Sequence, residues 1–169
     1  MGYDTSFEGA FTVTPTLRPE HVDYLRAFAR TRRMERVEAD AALLPDPIRE
    51  AVGLPVGLDG SFFVGGRGFM GQENDNSISD YNTPPGAQPS LWCKWEPNED
   101  GTAIECNEWE KFHGYVPWIE YLIGMFLTPW GYVLNGTVEW LGEDRNDRGK
   151  IVIEQNKVSV LHAKVNYEP

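Results

Sequence analysis

The sequence predicts an α+β fold, a two-layer sandwich of a mostly antiparallel sheet and two main helices. Segments alternating with period two and rich in β-formers recur near the N-terminus and through the C-terminal half. Two stretches with apolar residues at helical spacing each open on a proline, Pro19 and Pro117. The resulting order is strand, helix, excursion, strand, strand, helix, strand, strand, strand. It contains no internal repeat. Its βαββαβ part suits a ferredoxin-like core, with a C-terminal hairpin added.

The first strand spans Phe7 to Thr14 and ends at Pro15. Pro19 and Glu20 then suit the first turn of a helix whose apolar stripe is Val22, Leu25, Phe28 and Ala29 and whose end is basic. A weakly patterned excursion follows over 37–90, with a short helix after Pro45-Asp46-Pro47. Leu91 to Glu96 and Thr102 to Glu108 form a hairpin about Asp100-Gly101, which sets Cys106 opposite Trp95 and Cys93 opposite Glu108. The two thiols then lie diagonally, beyond comfortable disulfide range, and read as two free, buried cysteines. The helix from Pro117 has almost no polar side and should be buried in the centre. Tyr132 to Leu141 is a strand holding Asn135-Gly136 as a bulge or tight turn. Gly149 to Glu154 and Val158 to Val165 complete the sheet through a turn at Gln155-Asn156-Lys157.

The chain has 169 residues and a net charge of −11, from 15 Lys+Arg against 26 Asp+Glu. That length suits a single domain over 1–169 with a core of its own, and 41% hydrophobic residues exclude wholesale disorder. The acidic balance argues against direct binding to nucleic acid or to anionic membranes. The opening Met1 to Thr5 lacks a signal-peptide pattern, and no window reaches the roughly 18 apolar residues of a membrane span, so a cytoplasmic location is expected.

The candidate sites are few. Gly66, Gly68 and Gly71 with Arg67 spell G-x-G-x-x-G after the apolar run Phe62-Phe63-Val64. The acidic, helix-poor residues that follow argue against a dinucleotide fold, and leave a looser ligand-cradling loop over 65–71 against a plain glycine loop. The run Glu143 to Gly149 echoes a calcium loop but carries Arg148 and Gln155 where oxygen ligands belong, so it reads as a solvated turn. Trp92 and Trp109 are the aromatic residues expected at the surface for ligand contact. His113, beside Glu108 and Glu110, is the candidate acid/base group, although no nucleophile–base spacing joins it. Arg30, Arg32, Arg33 and Arg36 form a basic knot able to hold a phosphate or an acidic partner, or simply to pair with the helix C-terminus and bridge to the many carboxylates. No catalytic residue, metal ligand or cofactor is assigned.

Gly2-Tyr3-Asp4-Thr5, Leu91-Trp92-Cys93, Glu110-Lys111-Phe112, Trp130-Gly131-Tyr132 with Asn135-Gly136, and Trp140 with Gly142-Glu143-Asp144 together resemble a family of small bacterial and phage-carried proteins with no assigned activity. The resemblance spans nearly the whole chain and implies a bacterial or phage setting. It carries no site residue over.

Three functional expectations follow. The first is a non-enzymatic acidic module that binds another protein, as an inhibitor or immunity-type factor would. The alternatives are a small-molecule or nucleotide binder using the 65–71 loop, and a structural or assembly subunit making homo-oligomer contacts.

Overall fold

The computed structural model describes residues 3–65, 75–107, 111–164 and 166–169. Its strands are β1 (Thr5–Glu8), β2 (Phe11–Thr14), β3 (Glu35–Arg36), β4 (Ile78–Asp80), β5 (Trp95–Pro97), β6 (Ala103–Cys106), β7 (Val133–Gly142), β8 (Arg148–Glu154) and β9 (Lys157–His162). Its helices are α1 (Pro19–Ala29), α2 (Glu38–Ala41), α3 (Pro47–Ala51) and α4 (Tyr115–Leu122), the last running on into a π-helical turn over Ile123–Leu127.

The fold is α+β. The main sheet runs β5-β6-β2-β7-β8-β9, with β1 also on β7, and each of its pairs is antiparallel. With β1 and β2 as the first strand of the core, the order is second, third, first, fourth, the split βαβ arrangement. β8 and β9 extend it as the C-terminal hairpin. β1 and β2 form one line along β7, since Glu8↔Glu139 and Phe11↔Gly136 keep a single offset. The line is interrupted at Gly9, whose φ is +104° and where a Cβ would press on the Thr137 carbonyl oxygen at 2.7 Å.

Three expectations on β7 and the helices change. Gly136 is neither bulge nor turn: β7 continues through it in register with β2 and β8. A side chain there would meet the Ala10 carbonyl at 3.0 Å, so the glycine lets β2 approach. The first helix stops at Ala29, short of the arginines. The central helix is not buried all round. Trp118, Ile119, Leu122, Phe126 and Leu127 face the core, while Glu120, Gly124 and Met125 reach solvent.

One apolar core lies between the helices and one face of the sheet. Alternate strand residues Phe11, Val13, Trp95, Ile104, Leu134, Val138, Trp140, Ile151 and Ile153 enter it, against Val22, Leu25 and Phe28 of α1 and the buried face of α4. T-shaped pairs such as Phe28 with Trp118 (5.8 Å) and Tyr24 with Phe126 (5.3 Å) join the two helices. The hairpin register is as predicted, with Trp95 opposite Cys106, although its strands are shorter. Neither cysteine is in a disulfide; Cys93 is buried, whereas Cys106 is half-buried rather than buried. Glu108 lies outside the described residues.

The described part of the 37–90 excursion is built onto this core. A small satellite core gathers Ala41, Val56 and Phe63, while Val64 enters the main core. Asp46 caps α3, pairs with Arg49 at 2.8 Å and accepts the Val64 amide, fixing α3 against the chain that follows.

Candidate functional site

Both principal helices occupy one face of the sheet, so among the described residues the other face is bare. Register determines what it presents. Glu8, Glu139, Lys150 and Leu161 stand side by side across β1, β7, β8 and β9. Ser6, Leu141, Arg148 and Ala163 make the neighbouring row. A cleft of about 510 Å³ opens over these two rows. Leu141 is 48% exposed and Leu161 55%, unusual exposure for large apolar side chains sharing one cleft.

The electrostatics are divided. Glu8 and Glu139 face each other directly across two strands, an unfavourable placement for like charges. Lys150 approaches Glu139 at 3.5 Å, an exposed pair of little energetic weight. Among the described residues neither Glu8 nor Arg148 makes an ion pair. Glu105 and Glu96 face each other on β6 and β5 one row away, with Glu96 paired to Arg30, and a second shallow depression lies between them and Glu8. One half of the bare face is therefore acidic, and the other combines leucines with cations.

The cleft rests on a rigid floor. Trp140 lies on the core side, its indole N–H donating to Asp147 at 3.0 Å, and the Tyr3 hydroxyl donates to the same carboxylate at 2.6 Å. These two donors hold the Asp147 carboxyl below the usual aspartate range. Asp144 closes the β7–β8 turn through the Asn146 amide, so the calcium-like run is a hydrogen-bonded hairpin turn. The β8–β9 turn uses Gln155 and Asn156 at φ +48° and +67°, the two left-handed positions of a type I′ hairpin. Asn156 also binds the Tyr132 carbonyl and the Leu134 amide, which ties this hairpin to the start of β7.

The residues singled out by sequence do not assemble here. Gly66, Arg67, Gly68, Gly71 and Trp109 lie outside the described residues, as do Glu108 and Glu110 beside His113. Trp92 is half-buried ahead of β5 and stacks on no described ring. His113 is exposed, and its carbonyl accepts from Ser90, which in turn receives the Trp118 indole N–H.

The arginine knot is dispersed. Arg30 pairs with Glu96 at 3.2 Å, and Arg32 lies over the Tyr81 ring and binds Asn82. Arg33 and Arg36 turn inward, so these two do not present a surface to a partner. Arg33, only 1% exposed, donates to the Ser61 and Phe63 carbonyls and to Gln88, and stacks on Phe28. Arg36 pairs with Asp75 at 2.9 Å and lies over Phe63. Arg33 clasps the excursion to the core because its guanidinium spreads several donors over carbonyls that would otherwise be buried unpaired, and Arg36 does so through the Asp75 carboxylate and the Ser77 hydroxyl.

A second polar corner was not anticipated. His21 stacks on Trp130 at 4.0 Å and meets the Tyr132 hydroxyl at 2.6 Å through Nδ1. That hydroxyl already accepts the Arg18 amide, which leaves its proton for a neutral His21. Burial lowers the His21 pKa accordingly, with Arg18 adding to the effect against Glu20. Burial also pushes the Cys93 thiol up to about 12, which removes it as a nucleophile.

Among the described residues no cluster of three or more His, Cys, Asp and Glu side chains is placed to hold a metal ion, and no helix is long and apolar enough to cross a membrane. The cleft residues carried no motif. Their signal was strand alternation, which marks Glu8, Leu141 and Leu161 as facing away from the core once the helices are known to cover one side. Compared with protein-family models, curated proteins and solved structures, the chain matches none.

Proposed function

We propose that the chain is a non-enzymatic binding module that docks a basic protein through the bare face of its sheet. The observation that carries this reading is the pair of exposed leucines in one cleft beside the facing carboxylates Glu8 and Glu139 on the same face. Apolar anchors supply affinity, and the acidic half, in a chain of net charge −11, selects and steers a cationic partner. An inhibitor or immunity-type role in a bacterial or phage setting accords with such a surface.

The test is capture from a bacterial lysate, followed by binding of the recovered protein to wild type, to Leu141→Asp and to Glu8→Lys/Glu139→Lys. Binding should be lost in the first variant, weakened in the second and weakened by salt. Failure to recover a specific partner, or binding indifferent to these substitutions and to salt, refutes the reading.

A second reading is favoured by the cleft volume, which lies in the range of small-molecule sites, and by the Arg148 guanidinium at its wall, which has no ion-pair partner among the described residues. In that reading a small anionic ligand raises the thermal midpoint of wild type but not of Arg148→Ala.

A further inference from the structure

We propose that the outer edge of β9 pairs with β9 of a second copy of this chain, joining two sheets through an antiparallel strand pair centred on Val160. This contact is made by the backbone edge of β9, and it shares Leu161, His162 and Ala163 with the cleft of the docking reading.

Among the described residues β9 pairs with β8 alone. The Ala163 amide donates to the Arg148 carbonyl, so in the alternating antiparallel pattern Leu161, Ser159 and Lys157 also turn their backbone groups toward β8. The N–H and C=O groups of Val158, Val160 and His162 therefore point outward, a ready ladder for another strand. Natural edges are blunted by lysine, proline or bulges. Between Lys157 and Lys164 β9 has none of these, and its register with β8 is unbroken. The opposite edge, β5, is only 3 residues long and contains Pro97. A head-to-tail contact of β9 on β5 is thereby disfavoured, which leaves a closed two-fold pair.

The sequence of β9 is self-complementary about Val160. A two-fold pairing sets Val160 against its own copy and Val158 against His162 on the helix side. On the bare side it sets Ser159 against Leu161 and Lys157 against Ala163. No like charges meet, and the exposed Leu161 gains a neighbour. Each copy carries −11, so long-range repulsion opposes the pair and is screened by salt. Self-association should therefore strengthen as salt rises, the opposite of docking a basic partner.

The experiment is sedimentation velocity on the full chain from low micromolar to submillimolar concentration, at low and high salt. Wild type is expected to dimerise with concentration, more tightly at high salt. The Ser159→Lys/Leu161→Lys variant sets lysine against lysine at both ends of the pair, and should weaken dimerisation at least tenfold. Both residues are exposed, so its circular dichroism and thermal transition should match wild type. A mixture of Ser159→Lys and Leu161→Glu copies should form heterodimers tighter than either alone. A wild type monomeric under every condition, a dimer indifferent to the double variant, or a mixture that fails to pair overturns the proposal.

Discussion

Gly149→Ala probes the floor of the cleft directly. Gly149 sits in β8 opposite Trp140 and His162, and its backbone is not left-handed, so alanine itself is tolerated by the strand. The added Cβ overlaps the Leu161 carbonyl oxygen and the outer ring of the Trp140 indole. Neither can yield cheaply, because one is backbone of the β8–β9 ladder and the other is tied to Asp147. Overpacking of this kind costs about 1–3 kcal/mol. An indole that moves aside gives up a hydrogen bond to a carboxylate, another ~1.5–3 kcal/mol. Replacing glycine in a strand returns roughly 0.5–1 kcal/mol. The net loss is about 2–5 kcal/mol, read from urea denaturation followed by tryptophan fluorescence. Gly124→Ala is the control. Nothing lies within 4 Å of its Cβ, and in a helical segment alanine should stabilise by up to about 1 kcal/mol. A Gly149→Ala protein within about 1 kcal/mol of wild type, or a control that loses as much as the test, would refute the close packing described for Trp140.

Gln88→Leu leaves the Arg33 Nε donor buried without its acceptor and should cost about 1–3 kcal/mol in the same denaturation assay; no loss would mean that Arg33 is not clasped as described. The lowered Asp147 pKa contributes stability that is present above the ordinary aspartate value of about 3.9 and is lost as pH falls through the folded value. Tyr3→Phe should raise that carboxyl toward its ordinary value in an NMR titration and shrink the acid-side loss of stability. His21 is also depressed, so its contribution is complete above about pH 6.5 and is lost as pH falls through its folded value. Trp130→Ala opens the ring to water and should return its titration midpoint toward the ordinary one; an unchanged midpoint would remove burial as the cause.

Much of the fold was legible because local rules determine it. Pro19 marks the start of α1, Asp100-Gly101 sets the hairpin register, and period-two alternation assigns Phe11, Ile104, Leu134 and Ile151 to the core. The ferredoxin-like strand order was one topology open to this succession of elements, and the pairing of β2 with both β6 and β7 realises it. The candidate site was harder to read. Motif searches favour glycines, histidines and arginine runs, but Arg33 and Arg36 are spent inside the molecule and His113 stands alone on a loop.

The sequence by itself determined the α+β class, the acidic character and which strand residues point inward, because composition and periodicity are properties of the chain alone. Only the tertiary structure decided that Glu8, Leu141, Arg148 and Leu161 share one cleft. They come from β1, β7, β8 and β9, brought together by pairing between strands as distant as Thr5 and Gly142. It likewise decided that Arg33 and Arg36 of the arginine knot face inward. A charge run reads the same whether water or buried carbonyls receive its donors, and the packing of residues 61–63 and 88 against the end of α1 makes that choice.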